Sequence, residues 1–367
     1  MATLAASQIS FTQLPHPSPL PADVRDAALA DPGFGKLFSD HMVAIDWSEA
    51  EGWHNATVGP LTAIPLHPAA SVLHYAQEIF EGMKAYRLQD GTMALFRPDA
   101  NAARFNASAR RLAMPELPED VFVEACRQLV AADRDWFPSV PGGSLYLRPF
   151  MFANEAFLGV RPAKSYKFLV IASPAGNYFK SGAPAVSLWV SDYTRAAPGG
   201  TGAAKCGGNY AASLVPTAEA FSRGHDQVLF LDAAEHKWVE ELGGMNMFFV
   251  FDDGSILTPA LTGTILPGIT RESLIMLARD EGLTLREDRY SIDQWRADAA
   301  SGHLVEAFAC GTAAVVTPVG RVTDPHKGEF VIGSGGPGQT TSKLKDRLVA
   351  IQRGEAPDPH GWVMRLD

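Results

Sequence analysis

Lys205 stands in Thr201-Gly202-Ala203-Ala204-Lys205-Cys206-Gly207-Gly208-Asn209-Tyr210, where small residues and glycines surround a single amine. Neighbours of this size let backbone come close to a bound group, which suits an amine that must attack a carbonyl. Burial would lower its pKa and supply the neutral nucleophile that imine formation needs. The segment alone reads equally well as a lysine in a glycine-rich turn. Downstream, Glu240-Glu241-Leu242-Gly243-Gly244-Met245-Asn246 carries two carboxylates into a small-residue turn between apolar runs. Then Gly263-Thr264-Ile265-Leu266-Pro267-Gly268-Ile269-Thr270-Arg271 forms a Pro-Gly turn ahead of a helical pattern.

An amine, a carboxylate and a helix N-terminus are together what pyridoxal phosphate needs: an imine-forming lysine, an acidic partner for the pyridine nitrogen and an anion site for the phosphate. The helix after Pro267-Gly268 is the clearest local expectation. Leu274, Leu277 and Ala278 share one face, Glu272 lies in the first turn and Gly282 offers a stop. Such a helix could also be ordinary core; its place beside Lys205 and Glu241 favours phosphate binding.

The elements that must position these groups belong to a mixed α/β chain. At 367 residues it exceeds what one core usually serves, so two domains are expected. The boundaries read as an irregular N-terminal arm over residues 1–32, a small α/β domain over 33–173, an interdomain linker over 174–185 and a large domain over 186–367. In the small domain, periodicity predicts helices from Asn101 to Arg111 and from Pro118 to Trp136, with strands from Ser144 to Phe152 and Lys167 to Ser173. In the large one it predicts a strand from Val186 to Tyr193 and a helix after Lys205 to about Arg223. Further strands are expected at Gln227 to Leu231, Trp238 to Glu241 and Met247 to Phe251, with Asp253-Gly254 as a hairpin turn.

Hydrophobic residues make up 46% of the chain without any 18-residue apolar run, which predicts no membrane span. A formal net charge of -10 argues against nucleic acid or an anionic membrane as partner. Cys126, Cys206 and Cys310 are too few and too scattered for a disulfide framework or a Cys-rich metal site, so no metal is expected and a cytoplasmic setting is. The first 32 residues lack the patterns of secretory or transit leaders.

The chain resembles the branched-chain amino-acid aminotransferases, members of the fold type IV class of pyridoxal-phosphate enzymes. The resemblance runs through Leu73-His74-Tyr75-Ala76-Gln77-Glu78-Ile79-Phe80-Glu81-Gly82-Met83-Lys84-Ala85-Tyr86, Ser144-Leu145-Tyr146-Leu147-Arg148-Pro149, the Lys205 and Glu241 segments, Leu266-Pro267-Gly268-Ile269-Thr270-Arg271 and Gly311-Thr312-Ala313-Ala314. It implies a two-domain α/β fold of the α+β type, similar to D-amino-acid aminotransferase. It also implies amino transfer between leucine, isoleucine or valine and 2-oxoglutarate, with pyridoxal 5'-phosphate as cofactor. Lys205 would bind the cofactor covalently and shuttle the proton, while Glu241 would serve the pyridine nitrogen. Glu240 is then expected to face solvent on the other side of its strand. Tyr210 would meet the phenolic oxygen, and Arg104, the amides of Ile269 and Thr270, and Thr312 would hold the phosphate. Arg110 and Arg111 read as surface charges. Phe34, Tyr75, Tyr146, Leu158, Val160, Tyr178, Thr312 and Ala313 match the substrate pocket. Of these, Tyr75, Leu158 and Val160 would come from the other subunit of a homodimer. Arg148 would meet the glutamate side chain, in keeping with the cost of an unpaired arginine in an apolar strand.

Two departures from the family stand out. Gly244 replaces a threonine found in many members, and Ala314-Val315-Val316-Thr317 replaces a Cys-x-x-Cys found in some animal members. A competing motif, Gly333-Ser334-Gly335-Gly336-Pro337-Gly338-Gln339-Thr340, has P-loop spacing, but Gln339 stands where the lysine is needed and it reads as a Gly-rich connection. The rival readings are a D-amino-acid aminotransferase or an aminodeoxychorismate lyase, which would share Lys205 and Glu241. The long N-terminal region and the Tyr146-Leu147-Arg148 block favour the branched-chain type.

Overall fold

Residues 9–176 and 185–366 are described in the structure, a computed structural model. They fall into two compact units, one of residues 9–176 with Ala204–Gly207 and residues 351–366, the other of residues 185–203 with Gly208–Ala350. The expected second domain, 186–367, therefore differs from the observed unit in two places. Its last strand, Val363–Leu366, pairs with Met93–Phe96 of the first unit, and four residues around Lys205 also group there.

In the first unit, alternation along the strands decides what is core and what is site. Leu145, Leu147, Met151 and Ala153 of strand Ser144–Ala153 enter the hydrophobic core, which turns Tyr146 and Arg148 to the opposite face. The neighbouring strand Ser165–Ala175 does the same with Tyr166, Phe168, Val170 and Ala172. Helices Pro98–Arg111 and Glu119–Ala132 cover the core face, and Phe105 meets Phe168 edge-on at 5.5 Å. Removing such a buried aromatic costs about 3–5 kcal/mol, so this face is a firm support for the other.

The expected irregular arm is partly regular. Helix Ala22–Leu29 buries Leu29, and Thr12–Gln13 adds a short parallel strand to Gly52–Pro60. The expected linker likewise starts too early, because Pro174 and Ala175 still pair with Leu145 and Ser144. Proline is tolerated there near the strand's end.

The second unit closes its sheet. Strand pairing runs Val239–Leu242, Gln227–Leu231, Val186–Val190, Val315–Asp324, Leu304–Gly311, Asn246–Phe251, and returns to the first through Glu241 opposite Asn246. A closed sheet has one face inward and one covered, so its strands read as continuous apolar runs. Asn246–Phe251 is buried at every position, with Phe249 against Trp295 at 4.7 Å and Phe248 stacked on Phe308 at 4.9 Å. The strand predicted to end at Tyr193 stops at Val190. The helix predicted to reach Arg223 is two pieces, Gly207–Ala212 and Leu214–Ser222. The turn at Asp253-Gly254 joins an antiparallel hairpin as expected.

Candidate active site

Lys205 is anchored by its backbone. Its N–H donates to Ser108 Oγ at 2.9 Å and its carbonyl accepts from Phe80 N at 3.0 Å, so helix Pro98–Arg111 and the strand Glu78–Phe80 hold it from two sides. The half-buried side chain brings its ammonium to 4.8 Å from the centre of the Phe80 ring. Burial, reinforced by the Arg104 guanidinium, pushes its pKa down to about 8, against the opposing pull of Glu81.

Glu81 is the residue that sequence reasoning passed over. It is fully buried, accepts from Arg104 Nε and Nη2 at 2.7 Å each, and takes a third bond from Asn101 Nδ2 at 2.7 Å. Burial alone would raise its carboxyl, but Arg104, Lys205 and Asn101 hold it below the usual range. The bidentate pair orients Arg104. The only signal was its position inside the block already tied to the family; nothing local pointed to a partner 23 residues away.

On the same unit, Tyr146 meets Phe34 edge-on at 5.1 Å and accepts from Arg148 Nη2 at 3.2 Å. Arg148 lies over the Phe80 ring at 4.8 Å, and its buried Nε has no hydrogen-bond partner. Gly82 makes this possible, since a Cβ there would collide with the Tyr146 hydroxyl. Tyr75, Leu158 and Val160 are exposed at 41%, 63% and 85%, and the Tyr75 hydroxyl donates to the Leu158 carbonyl. Tyr178 lies outside the described residues. Arg110 and Arg111 are exposed as expected.

The second unit gathers the carboxylate side. Glu241 is buried, forms an ion pair with Arg195, and accepts from Leu266 N at 3.1 Å and more distantly from Asn246 Nδ2 at 3.5 Å. Arg195, also missed from sequence, donates to the carbonyls of Gly202 at 3.1 Å and Thr264 at 2.6 Å. One guanidinium thus ties Glu241 to the segment before Lys205 and to the one before the 269–280 helix. Glu240 is not solvent-facing, which corrects the expectation: it is only 5% exposed, accepts from Thr264 Oγ1 at 2.5 Å, and burial raises its pKa. Strand Val239–Leu242 is covered on both faces, so alternation does not deliver its other side to water.

Helix Ile269–Asp280 starts at Gly268 and buries Leu274, Leu277 and Ala278. A Cβ on Gly268 would strike Asn246 Oδ1, so the turn needs glycine to bring Ile269 and Thr270 where they are. Thr312 and Ala313 form the half-buried turn after strand Leu304–Gly311, closed by Val315 at φ 60°, a costly conformation for a β-branched residue. Tyr210 is half-buried, and its ring edge would lie 3.9 Å from a Cβ on Gly244. The Gly-rich segment 333–338 is no phosphate cradle. The amides of Thr340 and Thr341, at the start of helix Gln339–Gln352, already bond the Glu306 carboxylate at 3.0 and 2.8 Å.

Each unit taken separately therefore offers groups that fit pyridoxal phosphate: a desolvated amine with an oriented arginine in one, a buried carboxylate and an open helix start in the other. Residues 78–322 match the amino-transferase class IV family, and the chain belongs to that family. It is 56% identical over 364 residues to the branched-chain-amino-acid aminotransferase of Mycolicibacterium smegmatis, covering 98% of this chain and 99% of the relative. A probable branched-chain-amino-acid aminotransferase of Streptomyces coelicolor is 57% identical over 354 residues, covering 96% and 97%. Among solved structures, the Escherichia coli branched-chain amino acid aminotransferase superposes with a TM-score of 0.74 at 29% identity, covering 88% of this chain and 99% of that one. A second branched-chain amino acid aminotransferase, solved with pyridoxamine 5'-phosphate, gives 0.72 at 30% identity, covering 89% and 99%. Within its family, the chain's activity is the transamination of branched-chain amino acids, with pyridoxal phosphate as cofactor. The D-amino-acid and lyase alternatives are not favoured.

Proposed function

We propose that Lys205 is the residue that binds the cofactor covalently and carries the proton during turnover between branched-chain L-amino acids and 2-oxoglutarate. The observation behind this reading is the lowered pKa of about 8 at an amine held beside Arg104, Glu81 and Arg148. An ordinary lysine would be less than about 1% free base at pH 8; this one supplies roughly half.

Pyridoxal phosphate, when bound, supplies the carbonyl that the amine condenses with and a ring that accepts electrons. Lys205 presents its neutral amine and later takes and returns the proton of the substrate Cα. Glu241 keeps a proton on the ring nitrogen, and Arg195 holds Glu241 for that task. Arg104, the amides of Ile269 and Thr270 and the hydroxyl of Thr312 bind the phosphate, and Tyr210 serves the phenolic oxygen. Phe34, Tyr146, Tyr178, Thr312 and Ala313 shape the substrate pocket, and Arg148 receives the side-chain carboxylate of glutamate.

The active assembly is a homodimer in which Tyr75, Leu158 and Val160 serve the partner's pocket. Their joint exposure, with Leu73 and Phe157 also exposed at 57% and 37%, is the kind of apolar surface that docking covers. Cys126, Cys206 and Cys310 are free and buried, and among the described residues no helix is long and apolar enough to cross a membrane; a cytoplasmic location agrees with both. Lys205→Ala tests the assignment: turnover of leucine with 2-oxoglutarate should fall by about 10⁴-fold or more, while circular dichroism stays that of the wild type. Activity within tenfold of wild type would refute the assignment.

A further inference from the structure

A recess of about 120 Å³, open at its rim, lies in the second unit beside strand Val239–Leu242, with Glu240 in its lining. Its apolar lining includes Pro198, Pro259 and Ile265, and its polar lining includes Glu240, Trp238 and Arg289. Glu240 is 5% exposed and its Oε2 has no hydrogen-bond partner. Buried polar atoms are nearly always satisfied, so an orphaned carboxylate oxygen on a residue that lines a recess asks for a donor that enters from outside.

The other acids at this place are already engaged. Asp232 accepts from the amides of Ala234, Glu235, Lys237 and Trp238, and Glu235 accepts from Trp238 Nε1 at 3.0 Å. The remaining acceptor is thus Glu240; the Trp238 ring already has the Lys237 ammonium over it at 4.6 Å. Arg289 is exposed, lies over the Trp238 ring at 5.6 Å, and its guanidinium makes no ion pair among the described residues. A buried anion, an apolar wall and an exposed guanidinium match, in that order, an ammonium, an aliphatic side chain and a carboxylate.

We propose that this recess is a second small-molecule site, separate from the Lys205 chemistry, that takes a free aliphatic α-amino acid with its ammonium on Glu240 and its carboxylate on Arg289. Thr264, which donates to Glu240, also gives its carbonyl to Arg195, the partner of Glu241. An occupant therefore bears on the segment that fixes the catalytic carboxylate.

The test is calorimetric titration of L-2-methylleucine, which has no Cα proton to lose, into the cofactor-loaded wild type, Glu240→Gln and Arg289→Met. Each substitution removes one charge-assisted contact, so affinity should fall about 10- to 100-fold in each. Arg289 is exposed and outside the catalytic groups, so that variant keeps its fold, and any binding of the probe at the cofactor is common to it and the wild type. In the wild type, no second binding event beyond one probe per cofactor, or a second event of equal affinity in wild type and Arg289→Met, overturns the proposal.

Discussion

Lys205 in the first unit and Glu241 in the second, the two groups proposed to serve the cofactor, hold their charges by opposite means. Around Lys205, burial and the nearby cations Arg104 and Arg148 work against the ammonium, and only part of that pressure is relieved by Glu81. Around Glu241, an arginine and a backbone amide are drawn directly onto the carboxylate. One environment makes a charge easy to lose and the other grips it, which suits an amine that must become a nucleophile and a carboxylate that must stay an anion. The two environments thus divide the electrostatic work, and the group proposed to react is the one left under strain.

Breaking the gripped side should have the larger effect. Glu241→Gln keeps the shape and most hydrogen bonds but removes the charge proposed to serve the ring nitrogen. The kcat for leucine should fall about 10²- to 10³-fold, in line with losses of single electrostatic contributors, while cofactor affinity by equilibrium dialysis changes far less. A fall under threefold would move the role to Glu240 or to another partner.

Arg148 sharpens the account on the lysine side, where its unpartnered Nε marks it as a guanidinium with capacity for a ligand. Arg148→Met should lower kcat/KM for glutamate and 2-oxoglutarate about 10- to 100-fold, the equivalent of one charge-assisted hydrogen bond of about 1.5–3 kcal/mol. Single-turnover rates with leucine should stay near wild type. Equal losses for both substrates would assign Arg148 to structure or to the shared α-carboxylate.

The smallest effect is expected at Gly244, whose missing threonine was the clearest departure from the family. A Cβ there would meet only the Tyr210 ring edge, at ordinary contact distance, and the backbone is not in the left-handed region. Gly244→Ala should therefore change steady-state rates by less than about threefold. A larger loss would show that the turn needs glycine for close approach in the loaded enzyme.

Legibility in the sequence followed the range of the interactions. Lys205, Glu241 and the 269–280 helix sit in short segments whose glycines, carboxylates and periodicity announce them. Glu81 and Arg195 were not announced, because each acquires its meaning from a partner brought close only by folding: Arg104 for one, Glu241 for the other. Glu240 was misjudged because strand alternation was taken to mean one wet face, whereas the closed sheet and the segment around Thr264 cover both. The domain boundary failed in a related way: pairing of Val363–Leu366 with Met93–Phe96 is a contact across most of the chain that no local pattern reveals.

The most direct test of the central claim is borohydride reduction of the cofactor-loaded enzyme, followed by peptide mapping. Desolvation of Lys205 predicts that the reduced cofactor is found on the peptide holding Lys205. When apo-protein is reconstituted across a pH series, trapping should rise with a midpoint near 8 as the amine loses its proton. Cofactor fixed to a different lysine, or a midpoint near the roughly 10.4 of an ordinary lysine, would contradict the account.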